Sequence, residues 1–360
     1  MNLTITAFES WPILMTTAGL SLVLCLLLTP MARRIGLLDH PSARKVHRRS
    51  TPLVGGVAIF LAMLITLTTA TPYTAQAVPL LLACTMMLIT GMLDDMYELG
   101  AKIRFVMQAL ACCIMIFGSG IVLTDFGSLM WDGVLGLGWL SIPITIFCAL
   151  GVINAFNMMD GIDGLSSMVF IIAGTVMAWM ALGAGLMFNA SMLIIVVGAT
   201  LGFFLLNARL PWNKRARIFL GDSGSMLLGM FLAWQFIDLG SGDDRAYSPI
   251  IAVWLLGLPL IDTTRLMTQR WRDGRSSMDA DQYHLHHAFL KAGFSVFQTG
   301  AAMTALVLFT TTIAITGHVL QWPEYLMFYG YLAFCLAYLY IMRRCWHQAR
   351  FLGRDVATTL

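Results

Sequence analysis

The residues with the clearest chemistry are acidic and come in short clusters. The run Gly91-Met-Leu-Asp94-Asp95-Met-Tyr-Glu98 sets two adjacent carboxylates at the end of an apolar stretch, with Lys102 and Arg104 just beyond. Neighbouring carboxylates at such an edge are unfavourable unless paired or metal-bound. They can hold Mg²⁺ against a phosphate, or one can act as a base, while a solvated helix cap is the plainer reading. On a helix, Asp94 and Glu98 would share a face. A second cluster, Asn154-Ala-Phe-Asn157-Met-Met-Asp160-Gly-Ile-Asp163-Gly-Leu165, repeats amide and acid side chains at three-residue spacing. Asn154, Asn157 and Asp160 are expected to face one way from a helix end. So many polar side chains exceed the needs of a short turn and point to substrate binding. The third cluster, Phe219-Leu-Gly221-Asp222-Ser-Gly-Ser225, opens another apolar stretch. The N–H groups of a helix start suit phosphate, and Asp222 suits either Mg²⁺ beside that phosphate or a plain N-cap.

Basic and histidine-rich segments complete the set. Arg44, Lys45, His47, Arg48 and Arg49 precede Pro52 and Gly55-Gly56. Beside a bilayer such a run attracts anionic headgroups generally, or holds one lipid phosphate. Further on, Asp262 and Arg265 lead through Arg270, Arg272 and Arg275 to Asp281 and His284-Leu-His286-His287. Three histidines with two acids invite a zinc reading, but this spacing with no nearby cysteine is not a usual zinc pattern. Phosphate or nucleotide contact is the better expectation for the histidines and Arg265. Most of the other arginines are expected only to anchor topology.

The stretches that must position these clusters are apolar. Of 360 residues, 58% are hydrophobic and only 11% charged, with mean hydropathy +0.78. Too few charges remain to coat a soluble globule, which excludes a cytosolic enzyme, a disulfide scaffold and a disordered chain. Eleven runs can cross a bilayer, at about 11–31, 53–70, 77–93, 104–123, 138–158, 165–185, 190–207, 221–239, 248–264, 299–319 and 324–342. With that alternation every Lys and Arg except Arg245 falls on one side. The positive-inside rule makes that side cytoplasmic, with the N-terminus periplasmic and the C-terminus cytoplasmic. The expected fold is therefore an all-α polytopic membrane protein of eleven transmembrane helices. It forms a single catalytic domain over 1–360, with cytoplasmic loops near 32–52, 94–103, 159–164, 208–220 and 265–298 building the site. Carboxylates gathered at one face, with none at the middle of a span, favour an enzyme over a transporter.

Together the clusters resemble the polyprenyl-phosphate N-acetylhexosamine-1-phosphate transferases, from about Gly36 to Lys291. The resemblance is carried by Arg44-Lys45 with Pro52 and Gly55-Gly56, by Leu93-Asp94-Asp95, by the Asn154–Leu165 segment, by Phe219-Leu-Gly221-Asp222 and by His284-Leu-His286-His287. It implies transfer of GlcNAc-1-phosphate from UDP-GlcNAc to undecaprenyl phosphate, giving undecaprenyl-diphospho-GlcNAc and UMP. The place implied is the cytoplasmic face of the bacterial inner membrane, at the first membrane step of a cell-surface glycan. It also implies Mg²⁺, or Mn²⁺ in its place, with Asp222 the first choice as ligand; the catalytic Asp94 and Asp95 would position or deprotonate the lipid phosphate, or help hold the metal. Asn154, Asn157, Asp160 and Asp163 would hold the uridine side and the diphosphate. Lys45, Arg48, Arg265, His284, His286 and His287 would contact phosphate or sugar. Attack by the lipid phosphate and a covalent aspartyl-phosphate route both stay open. Membrane lipids are further partners, no nucleic acid is expected, and the oligomeric state is open, a homodimer included. The peptidoglycan branch of the superfamily, which takes a UDP-MurNAc-pentapeptide, is the second reading, but it usually carries three consecutive histidines. Two departures stand out: Glu98 where Asp is common, and Arg275-Ser-Ser-Met without the proline that often follows the serine.

Overall fold

The computed structural model describes residues 3–39, 50–130, 133–276 and 283–351, so Lys45, Arg48 and Asp281 lie outside the described residues. In chain order the elements are α1 (Leu3–Ile35), β1 (Leu38–Asp39), β2 (Thr51–Pro52), α2 (Gly55–Ala70), α3 (Val78–Tyr97), α4 (Ala101–Ser119) and α5 (Ser141–Met159). They continue with α6 (Leu165–Gly183), α7 (Met187–Asn207), α8 (Gly221–Gly240), α9 (Pro249–Leu255), α10 (Gly257–Arg272), α11 (Leu285–Lys291), α12 (Val296–Val319) and α13 (Glu324–Phe351). Each of the eleven apolar runs is helical. Among the described residues, eight helices are long and apolar enough to cross a membrane: α1, α3, α4, α5, α6, α7, α12 and α13. The pair α9–α10, bent by 78°, makes a ninth if it is one span. The run expected to span at 248–264 is therefore not one continuous helix but two, bent at Leu256. The break falls beside Gly257 and Pro259, residues that weaken or remove helix hydrogen bonds. Large apolar side chains such as Leu27, Phe117, Phe147 and Leu336 stay exposed, as a lipid-facing surface requires.

The chain forms two compact units, one of Met1–Phe126 with Gly136–Pro249 and one of Gly127–Leu135 with Ile250–Leu360. In the first, α8 is the core: Ser223 through Ile237 are all buried. It packs mainly against α3 and α5, with α2 and α6 also touching it, while α7 packs against α1 and α6. Small residues allow the close approach, which in a membrane replaces a hydrophobic driving force. A Cβ on Gly229 would lie 2.9 Å from the Cα of Ile153 on α5, and one on Gly56 would overlap the backbone of Gly224. Some polar side chains within the helices pair with each other: Asn154 Nδ2 donates to Gln108 Oε1 on α4 at 2.8 Å, and Asn189 Nδ2 donates to Asp238 Oδ2 at 2.6 Å.

Backbone hydrogen bonds fix the start of α8. The strands β1 and β2 pair antiparallel. Phe219 N–H donates to the Pro52 carbonyl, and Gly55 and Gly56 N–H donate to the carbonyls of Phe219 and Leu220. The first turns of α2 and α8 are thereby tied together. In the second unit α10 packs against α12 and α13, and α11 against the same two helices. A capping box, Ser295 with Gln298, starts α12.

Candidate active site

The acidic clusters meet where α3 crosses α8. Asp95 accepts hydrogen bonds from the backbone N–H groups of Asp222 (2.9 Å) and Ser223 (3.2 Å), one on each carboxylate oxygen. The first-turn N–H groups expected to be open for phosphate are thus partly taken by a carboxylate of the protein itself. A carboxylate at a helix N-terminus is favourable on both hydrogen-bonding and dipole grounds. Gly221 permits this turn, because its φ is +73° and a Cβ there would lie 2.7 Å from Asp95 Oδ2.

The same crossing brings the Asp94 and Asp222 carboxyl groups close together. Their carboxyl groups are within hydrogen-bonding reach of one another. Asp94 is buried and its Oδ2 takes Arg104 Nη1 from α4 at 2.7 Å. Asn157 Nδ2 donates to Asp222 Oδ1 and to Ser225 Oγ, both at 2.8 Å. Asp94, Asp222, Asn157 and Arg104 thus form one constellation drawn from four helices. Glu98 does not join it. Helix α3 ends at Tyr97, and Glu98 is an exposed cap in left-handed conformation (φ 50°), so the shared face expected for Asp94 and Glu98 is corrected. The loop expected over 94–103 is only 98–100.

The Asn154–Leu165 segment divides in space. Asn157 reaches α8, whereas Asn154 turns to Gln108 on α4. Asp160 caps the end of α5 and accepts from Ser166 Oγ at 2.6 Å. Asp163 is ion-paired with Arg209 Nε at 2.7 Å. The turn itself is held by Asn207, whose side chain accepts from Gly164 N–H and donates to the Ile218 carbonyl. Of the three expected to face one way, Asn157 and Asp160 both come near Asp222, and only Asn154 turns elsewhere, to Gln108. Three residues of helix turn 300°, enough to send Asn154 and Asn157 to different neighbours.

Burial pushes the Asp160 carboxyl up to about 7, against the hydrogen bond from Ser166, and the nearby negative charges of Asp222 and Asp163 push the same way. A carboxyl raised in the folded state lowers stability as pH rises from about 4 through 7. Asp160→Asn keeps the acceptor for Ser166 and removes the charge. It is expected to raise the melting temperature at pH 8, by an amount that shrinks as the pH is lowered toward 4, while activity falls. Differential scanning fluorimetry in detergent across that range checks it; a gain independent of pH would contradict the assignment.

The second unit holds the histidines. His284 Nδ1 lies 2.8 Å from Asp262 Oδ2, and Arg265 Nη2 lies 3.1 Å from Asp262 Oδ1. The His284 and His286 rings stack at 5.4 Å with an interplanar angle of 10°, and His286 and His287 lie 4.2 Å apart. Burial, with the neighbouring histidines adding, holds His286 well below the usual histidine range. It is therefore neutral near pH 7. The sequence offers no signal for Tyr338, which donates to Asp262 Oδ1 at 2.6 Å from α13.

Residues 77–240, which carry both Asp94-Asp95 and Asp222, match glycosyl transferase family 4. Undecaprenyl-phosphate alpha-N-acetylglucosaminyl 1-phosphate transferase of Yersinia pestis is 32% identical over 90% of this chain and 89% of its own. The chain belongs to glycosyl transferase family 4. Relatives of the same name from Escherichia coli O157:H7 and Pasteurella multocida are 31% identical, over 90% and 95% of this chain and 88% and 96% of theirs. Similarity to these family members extends well past residue 240 and takes in most of both compact units.

Proposed function

We propose that this protein transfers GlcNAc-1-phosphate from UDP-GlcNAc to undecaprenyl phosphate, releasing UMP. The observation that carries the reading is the facing pair Asp94–Asp222, oriented by Arg104 and Asn157, in a chain with full-length relatives of that name. In the reaction an oxygen of the lipid phosphate forms a bond to the donor's β-phosphorus. The bond from that phosphorus to the bridging oxygen breaks, and the oxygen leaves with its electron pair on UMP. A phosphate monoester is mostly ionised at pH 7, so the nucleophile needs positioning more than deprotonation.

The donor set fits Mg²⁺. Among the described residues no group of three or more His, Cys, Asp or Glu is arranged to hold an ion alone. Mg²⁺ takes one or two carboxylates and completes its shell with waters and substrate phosphates, so Asp94 and Asp222 are enough. When bound, the ion neutralises oxygen charge on the diphosphate. Asp95, whose two oxygens fix the start of α8, positions the site and keeps lone pairs with which it could help hold the ion. Asn157 aims the Asp222 carboxylate, and Arg104 offsets the charge of Asp94. Asp160 and Asp163 hold the donor's nucleotide side, and Lys45, Arg48, Arg265 and the three histidines supply contacts to phosphate or sugar. The charge alternation supports eleven spans in the bacterial inner membrane, N-terminus outside, with this chemistry at the cytoplasmic face.

The test compares donors. Purified full-length protein in detergent is given undecaprenyl phosphate, Mg²⁺ and either UDP-GlcNAc, UDP-GalNAc or UDP-MurNAc-pentapeptide, and UMP is measured. Lipid-dependent UMP from UDP-GlcNAc, lost on adding EDTA, is the expected result. UMP from the pentapeptide donor alone would replace the reading by the peptidoglycan reaction.

A further inference from the structure

The histidine cluster rests on an acid that the reading above leaves unused. Asp262 is buried, at 7% exposure, on α10. Among the described residues, the other groups facing its carboxylate are all donors, namely Arg265 Nη2 (3.1 Å), the Leu285 N–H (3.3 Å) and Tyr338 Oη (2.6 Å), and His284 Nδ1 lies 2.8 Å away. A carboxylate with that surround accepts only, so the imidazole must carry its proton on Nδ1. Nε2 is then the nitrogen left for a ligand.

We infer that Asp262 and Tyr338 are positioning residues for the transfer reaction: Asp262 fixes the ring of His284 in the Nδ1–H form so that Nε2 faces the substrate, and Tyr338 holds the Asp262 carboxylate in place behind it. The inference rests on the proposed reaction for its functional meaning, while the tautomer stands on the geometry alone. Two elements share the work. Arg265, on the same helix as Asp262, also donates to the Tyr283 carbonyl, so it pins the strand of chain leading into the cluster. Tyr338 brings in α13, which no motif touches, and its hydroxyl is the only contact to Asp262 from that helix among the described hydrogen bonds. Among the described residues, the other ionisable groups around His284 are His286 and His287 on α11, Tyr283 with Lys291 over its ring, and Arg265. On α12 the sole histidine is His318, in the last turn. A carboxylate behind Nδ1 fixes the ring's orientation and tautomer, which leaves Nε2 as the atom presented to a ligand.

The experiment labels histidine with ¹⁵N in the full-length protein in detergent and assigns His284 by difference from His284→Gln. At pH 8 the expected spectrum has a protonated Nδ1 and an unprotonated Nε2. Asp262→Asn loses that preference and lowers kcat/KM about 30-fold or more, the scale of a lost charged hydrogen bond. Tyr338→Phe keeps the tautomer and the melting temperature but lowers kcat/KM about threefold to tenfold. It also gives a readout if Asp262→Asn does not fold. An Nε2–H ring in the parent protein would overturn the inference. So would folded Asp262→Asn that retains both the tautomer and kcat/KM, and kcat/KM unchanged in Tyr338→Phe would remove Tyr338 from it. If the parent protein releases no UMP from any donor, the proposed reaction fails, and the tautomer in the parent and in Asp262→Asn still decides the positioning.

Discussion

Asp222→Asn is expected to lower transfer at least about a thousandfold while leaving the protein as stable as before or more so. The two effects have one cause. Asp222 and Asp94 present their carboxyl groups to each other within hydrogen-bonding reach, in a setting where Asp222 takes Asn157 and Asp94 takes Arg104. Two ionised carboxylates so close repel, and the fold holds them there because the start of α8 is fixed by Asp95 and by the backbone bonds to Gly55 and Gly56. Asparagine is the same size, keeps an oxygen for Asn157 and relieves the repulsion. What it removes is the charge that would meet a cation and a diphosphate. Groups retained for function at the expense of stability behave this way. UMP release and thermal unfolding measured on the same preparation check the pair of effects. Activity above a tenth of the parent's would remove Asp222 from the chemistry. A fall in melting temperature matching the loss of activity would make its role structural.

The second large effect is a methyl group at Gly91. Its Cβ would fall on the Asp222 carbonyl and the Ser223 Cα, backbone atoms that cannot swing aside. Helices α3 and α8 must part to admit it, and the Asp95 bonds to the N–H groups of Asp222 and Ser223 cross that gap. Overpacking of this kind destabilises by about 1–3 kcal/mol. Gly91→Ala is therefore expected to lower the melting temperature and to abolish transfer together, although Gly91 carries no chemistry. Gly151→Ala is the control: Gly151 lies on α5, within one turn of Asn154, and nothing lies within 4 Å of its Cβ position. There alanine should be neutral or stabilising, by about 0.5–1 kcal/mol. Gly91→Ala with normal activity would show that the α3–α8 spacing does not set the site.

These residues also mark how far the sequence could be read. The helices were legible because apolar runs of about 20 residues leave few alternatives in a membrane. The acids at 94, 95 and 222 were legible because carboxylates are conspicuous at the edges of such runs. Their division of labour was not. Nothing in Asp94-Asp95 says that one side chain faces Asp222 and the other holds the α8 N–H groups, since that depends on how α3 is rotated against α8. Glu98 misled for a local reason: the helix stops one residue before it. The break between α9 and α10 had a signal in Gly257 and Pro259 that hydropathy alone passes over. Arg104, Arg209 and Tyr338 gave none, because a cation or tyrosine near a helix end reads first as a topology or interface anchor.

The central claim is transfer of a sugar phosphate, not of a sugar. It is tested most directly with UDP-GlcNAc carrying ³²P at the β-phosphate, incubated with the purified protein, undecaprenyl phosphate and Mg²⁺. The account predicts that the label enters the lipid, with one unlabelled UMP released for each lipid modified, and that neither happens with Asp222→Asn. Label left in free UDP, with GlcNAc alone on the lipid, would contradict it, as would UMP released without lipid.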